Sequence, residues 1–283
     1  MGRRLAHNRG ADWTILLFSG GNMNEKAKII FFGNGVLADA ALEVLKQHFE
    51  IVFHAKTKED LVNVAKLKRE NPNLHGILAS FGVIIRQDLL ELFEPEGILN
   101  IHPSLLPLYR GASPIESAIL NGDSDFGVSI MKLAPAMDAG PIYHQEVLQG
   151  LPLEKSAIYA ALASAGAEWL VANLLSLPEP IPQDDKKATF TAKLTKEMSY
   201  LTPKTDTAEM TLRKIVAYQG YPKPKYAFYG QNCIILAAHI QNPSEMGDLV
   251  LPCLSGALVI DRLQPEGRKP MDAKAFLNGY KRV

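Results

Sequence analysis

Apolar positions between residues 28 and 148 follow two alternating rhythms. Short β-branched or aromatic runs, "KIIFF", "EIVFHA", "LHGILASFG" and "GILNIH", are separated by stretches with apolar residues every three or four positions, "VLADAALEVLKQHF", "KEDLVNVAKLKRE" and "QDLLELF". The first rhythm is that of strands buried on both faces, the second that of helices lying on them. The alternation predicts an α/β fold, a Rossmann-like, mostly parallel sheet with helices on both faces. "FGVSIMKL" reads as a further strand and "IYHQEVL" as its antiparallel neighbour beyond a turn at "MDAGP". Ser113 and Pro114 are expected to cap and open the helix "PIESAILNG", and "KSAIYAALASAGAEWLVANLLSL" to form a long amphipathic helix.

The rhythm stops at residue 178. "PEPIPQDDKKAT" carries proline and charge without periodicity and reads as a linker, residues 178–189. Beyond it one helix, "TAEMTLRKIVAY", precedes closely spaced strands, "KYAFYG", "CIILAAHI", "DLVLP" and "ALVID", the pattern of a small OB-like β-barrel. The expected division is a catalytic domain over residues 25–177 and a barrel over residues 190–283. Residues 1–24 hold arginines and only a short apolar run, "WTILLF", which falls short of a signal peptide. They are expected to be a disordered extension or a mis-called start.

Composition narrows the classes. With 47% hydrophobic residues and a net charge of zero, the chain reads as a soluble, cytoplasmic globular protein with no overall basic signature. No apolar run approaches the ~20 residues of a membrane span. Cys233 and Cys253 are too few and too far apart for a metal knuckle or a disulfide framework, so a reducing compartment is expected. The zero sum hides an asymmetry: residues 190–283 carry thirteen basic against eight acidic side chains, a hint of an anionic partner for that part.

The candidate chemistry lies in "ILNIHPSLLPLYRGASP", residues 98–114. Asn100 and His102 are two apart on a predicted strand and so share a face, at the carboxyl end where open α/β sheets build their sites. An amide beside an imidazole can hold a developing oxyanion and move a proton. The same pair could equally be a strand-end cap and a packed histidine. Asp138, in "LAPAMDAGPI", is expected at another sheet end, where a carboxylate near His102 would favour and orient the imidazolium; an ordinary turn aspartate before Gly140 is the alternative. "GNG" at residues 33–35 lacks the full dinucleotide fingerprint, because residue 38 is Ala and no acidic residue ends the second strand. No nicotinamide is expected. His48, His54, His75, His144 and His239 lack ligand spacing, so no metal is expected, and no nucleophile elbow, phosphate loop or cysteine nucleophile is present.

The segment "LNIHPSLLPLYRGASPIESAILNGDSDFGVSIMKLAPAMDAGPI" resembles the catalytic core of the folate-dependent formyltransferases. The resemblance covers roughly residues 26–282, and "YRGASPI", "AILNGDSDFGVSIM" and "LRKIVAYQGYPKPKYAF" are closer to the branch that acts on methionyl-tRNA. It implies Asn100, His102 and Asp138 as the catalytic set. It implies folate contacts from Ser104, Leu105, Leu106 and Pro107 and from Phe81, Gly82 and Val83 of "ASFGVII". Acceptor contacts would come from Arg110, Gly111, Lys56 and Lys58. The co-substrate would be 10-formyltetrahydrofolate and the acceptor methionyl initiator tRNA, with the protein a monomer that binds neither DNA nor membrane. One departure matters: the basic, glycine-containing insertion that the family carries after the second strand is absent, since "EIVFHA" runs almost directly into "KTKEDL". A formyltransferase for a small amine, such as an amino sugar nucleotide, and a non-catalytic folate- or RNA-binding relative are the alternatives.

Overall fold

The computed structural model describes residues 26–242 and 249–280; the expectation for residues 1–24 falls outside them. β1 (Lys28–Phe32), β2 (Glu50–Ala55), β3 (His75–Leu78), β4 (Ile98–His102), β5 (Phe126–Lys132) and β6 (Ile142–Leu148) form one sheet in the order β2-β1-β3-β4-β5-β6. The first four are parallel, while β5 and β6 each run antiparallel to the neighbour before.

The continuous apolar runs are explained by cover on both faces. Ile29 and Phe31 of β1 join Leu99 and Ile101 of β4 under α1 (Val36–His48), α4 (Pro114–Asn121) and α5 (Lys155–Asn173). Ile30, Phe32 and Ile98 face the other way, against α2 (Asp60–Glu70) and α3 (Gln87–Leu90). Gly166 lets α5 close on β4, since a Cβ there would stand 2.7 Å from Ile101. The expected amphipathy of α5 gives way to apolar residues nearly all round, because the helix lies against α1 as well as the sheet. Ser113 occupies the cap position of α4, but its side chain makes no capping bond; its N–H donates to Thr191 Oγ1.

In the C-terminal part, α6 (Ala208–Ala217) is capped by Thr207, whose hydroxyl accepts from the Met210 N–H. β7 (Lys225–Phe228), β8 (Gln231–Ile240), β9 (Val250–Pro252), β10 (Ala257–Pro265) and β11 (Met271–Asp272) make a curled antiparallel sheet, order β11-β10-β8-β7 with β9 also on β10. It is a half-barrel filled by α7 (Ala273–Tyr280), whose Phe276 and Leu277 plug its core. Ala217 and Tyr218, at the end of α6, join the core beneath α1 and α5, which docks the half-barrel on the main sheet. No helix among the described residues is long and apolar enough to cross a membrane.

Candidate active site

β1 sends its crossover to one side and β3 lies on the other, so the chain order reverses between them, where open sheets leave a crevice. The turns that follow these two strands meet there: the Asn34 N–H donates to the Ser80 carbonyl, and His54 Nε2 reaches the Gly33 carbonyl at 2.8 Å. A cavity of about 760 Å³ opens at this edge. Its wall includes Asn34, Phe81 to Ile85, Asn100, His102, Gly111 and Asp138.

Asn100 and His102 project from the end of β4 into this cavity, both at least nine-tenths buried. The Asn100 side-chain amide makes no hydrogen bond with any described residue. A strand cap would be bonded to backbone, and an amide left open in a buried wall is rare outside binding sites. His102 Nε2 stands 3.3 Å from the Tyr109 carbonyl, an acceptor only, so in that contact the ring proton is on Nε2. Nδ1 faces Asp138 Oδ1 at 3.7 Å. Burial pushes the His102 pKa below its usual value, outweighing the opposite pull of Asp138 and of the Tyr109 carbonyl. Each ring nitrogen thus has an acceptor beside it, and burial disfavours the charged ring that would serve both.

Asp138 does not sit at a sheet end by virtue of its strand. β5 is antiparallel to β4, so Lys132 finishes beside Leu99, at the far end of β4 from His102. Residues 133–138 run back along the sheet to deliver the carboxylate. The Asp138 backbone is left-handed, φ 49°, and its Oδ2 accepts from the Gly111 N–H at 2.7 Å. Gly140 permits the turn, because a Cβ there would fall 1.8 Å from the Lys132 carbonyl.

Several expected site residues lie elsewhere. Phe81, Gly82 and Val83 line the cavity, as does Gly111. Ser104, Leu105, Leu106 and Pro107 do not: Ser104 Oγ donates to the Leu108 carbonyl, Leu105 packs over Gly127 and Leu106 is buried. Ser129 holds this loop, its hydroxyl donating to the Ser104 carbonyl at 2.6 Å and accepting from the Leu106 N–H at 3.0 Å. Ser129→Ala would leave both groups without that partner in the core, at a cost of about 2–4 kcal/mol, to be read in urea denaturation midpoints. Arg110 is turned away as well; its buried guanidinium donates to Gln183 Oε1 and Asp185 Oδ1, as an apolar setting demands of a charge. Lys56 and Lys58 are exposed at the short β2–α2 turn, outside the cavity wall, and the Lys56 carbonyl accepts from Asn34 Nδ2.

The segment read as a linker supplies what the sequence reading missed. Gln183 Nε2 donates to the carbonyls of Asp138 and Gly140, at 2.8 and 2.7 Å. Thr189 and Thr191 exchange backbone hydrogen bonds with Pro107 and Arg110 and accept from Tyr109 and Ser113 through their hydroxyls. Residues 181–191 therefore lace the Tyr109–Gly111 turn and the Asp138 turn together. A second cavity, of about 810 Å³, lies between the main sheet and α6 and shares Asn34, Ser80 and Tyr159 with the first.

Fold and site define a two-part α/β enzyme with an amide, an imidazole and a carboxylate at the switch point of its sheet. The formyl transferase family matches residues 27–174, and the formyl transferase C-terminal domain matches residues 193–281. A methionyl-tRNA formyltransferase of Roseiflexus castenholzii is 34% identical over 249 residues, covering 81% of this chain and 78% of that one. The chain belongs to the formyl transferase family. Among solved structures, methionyl-tRNA formyltransferase from Clostridium thermocellum superposes with a TM-score of 0.61 at 20% identity over 85% of this chain and 98% of that chain. WlaRD, a sugar 3N-formyl transferase crystallised in the presence of dTDP and 5-N-formyl-THF, gives 0.59 at 18% over 88% and 100%. At such identities these two likenesses speak for the fold alone.

Proposed function

We propose that the chain transfers the formyl group of 10-formyltetrahydrofolate to the α-amine of methionyl initiator tRNA. The observation that carries the chemistry is the meeting of Asn100, His102 and Asp138, with the Asn100 amide open, in one cavity at the sheet's switch point. The cavity suits a reduced folate in size, and Phe81, Val83, Ile85 and Leu133 offer an apolar wall to a flat ring. The co-substrate supplies a formyl carbon bonded to nitrogen, and transfer to an amine requires neither metal nor nicotinamide.

The chain's own residues do the rest. Asn100 Nδ2 and a His102 N–H meet the negative charge that develops on the formyl oxygen as the amine attacks. Asp138 sets the orientation of His102 and, through water, takes the proton lost by the attacking nitrogen, and a proton is returned to N10 of the folate as its bond to the formyl carbon breaks and tetrahydrofolate leaves. The Ser104–Pro107 loop is fastened to Ser129 of β5, and Arg110 reaches the Asp138 turn through Gln183 while the Gly111 N–H holds the Asp138 carboxylate. The acceptor's class is supported by the C-terminal family match and by exposed cations on that part, among them Lys223, Arg262, Arg268 and Lys269. Such contacts to phosphate weaken as salt rises.

A second reading, a small amine such as an amino sugar nucleotide as acceptor, draws on the short β2–α2 turn, only residues 56–59. The deciding assay supplies 10-formyltetrahydrofolate with methionyl initiator tRNA, methionyl elongator tRNA or an amino sugar nucleotide. Initiator tRNA is expected to be formylated fastest, with kcat/KM falling as salt rises. Formylation of the sugar amine alone would overturn the tRNA assignment.

A further inference from the structure

Glu116, which is buried, and Lys155 and Tyr159, which are partly buried, form a polar cluster apart from Asn100, His102 and Asp138. Lys155 and Tyr159 are one turn apart on α5 and so project together. Both reach the same oxygen of Glu116 on α4: Lys155 Nζ lies 3.3 Å from Oε1, and the Tyr159 hydroxyl donates to it at 3.0 Å. Lys155 Nζ also donates to the carbonyl of Ala217 at 2.9 Å, at the carboxyl end of α6, where a cation is favoured. One ammonium thus joins α4, α5 and α6, and with them the main sheet and the half-barrel. Glu116 Oε2 is buried and accepts from no described residue.

A core built for stability alone has little use for such a cluster, since a buried ion pair rarely outdoes apolar side chains of the same volume. Its position suggests the use. Tyr159 lies in the wall of both cavities, beside Asn34 and Ser80, and Lys155 lines the interdomain one. Burial raises the Tyr159 pKa, with Glu116 adding to it, so the phenol remains a hydrogen-bond donor.

We propose that Tyr159 is a positioning residue for the amine acceptor, set at the passage from the interdomain cleft to the formyl-transfer cavity, and that Glu116 and Lys155 fix it there in register with α6. The inference rests on the formyl-transfer reading above. An acceptor coming from the cleft to Asn100 and His102 crosses the Tyr159 ring. The ring is held by one hydrogen bond, and the acceptor of that bond is held by Lys155. Because Tyr159 meets no reacting atom, its disturbance belongs in the acceptor's KM.

The test is steady-state kinetics of the full chain, Tyr159→Phe, Lys155→Met and the double variant, with methionyl initiator tRNA and 10-formyltetrahydrofolate varied in turn. Each single change should raise KM for the tRNA about tenfold, the scale of one buried hydrogen bond, with kcat within about twofold and KM for the folate unmoved. The double variant should be no worse than Lys155→Met, since both act through Glu116. A fall in melting midpoint with unmoved acceptor KM would mean a structural pin and overturn the inference, as would strictly additive effects. Tyr159→Phe removes one oxygen and keeps the test open if Lys155→Met does not fold. A wild-type chain that formylates no amine overturns the functional reading and the inference with it; an active wild type with unmoved KM overturns the inference alone.

Discussion

His102→Ala is expected to lower kcat for formyl transfer by at least about a hundredfold while leaving a folded protein, and Asn100→Ala and Asp138→Ala to do the same, the scale of losing an oxyanion donor or an acid–base group. The three should not add, because each depends on the others' geometry. For His102 a pH signature accompanies the loss of rate. Burial depresses its pKa in the folded chain, so on acidification the unfolded chain takes up the proton first. Its contribution to stability is complete above about 6.5, the unfolded value, and is lost as pH falls through the depressed folded value. The wild type should thus lose more stability between neutral and mildly acidic pH than His102→Ala, and its acid limb of activity should lie below 6.5. A correctly folded His102→Ala protein with near-normal turnover would remove the mechanism.

Much of this site is legible in the chain, and the reasons for the remainder are physical. "KIIFF" and "GILNIH" declare themselves as strands because both faces of β1 and β4 are covered, so apolar residues sit at successive positions and β4 turns polar only at Asn100 and His102. The alternation along β4 puts Asn100 and His102 on the face of Ile98, and the structure keeps that parity. What local pattern could not supply is strand direction and distance. Asp138 follows a strand, as expected, but that strand is antiparallel to β4 and the residue reaches His102 by a return run. "SLLP" is apolar enough for either a ligand wall or a core, and the side chains that pin it, Ser129 to Ser104 and Gln145 to Leu106, lie 25 and 39 residues further on. α7 went unseen because "AKAFLNGY" is short and contains glycine; the concave face of the half-barrel, not helix propensity, holds it. Gln183 gave no signal, since its partners are 43, 45 and 73 residues away and nothing in "PEPIPQDD" is periodic.

That residue carries the second large expectation. Gln183→Ala should lower kcat by about a hundredfold although its side chain lies outside the cavity wall, the scale of misplacing a catalytic group by about 1 Å. The amide does two tasks: Nε2 clamps the carbonyls of Asp138 and Gly140, and Oε1 accepts from the buried Arg110 guanidinium. Asp138 sits at φ 49°, a left-handed conformation tolerated by aspartate but maintained only where its surroundings impose it. Without the clamp the turn relaxes and the carboxylate leaves His102. Gln183→Glu separates the tasks, because a carboxylate still accepts from Arg110 but can donate nothing to Asp138 and Gly140. It should hold the stability that Gln183→Ala loses, yet turn over as poorly, with KM for the folate changed little in both. Full turnover by Gln183→Glu, beside urea midpoints close to wild type, would show that Gly111 alone keeps Asp138 in place and that residues 181–191 serve folding, not catalysis.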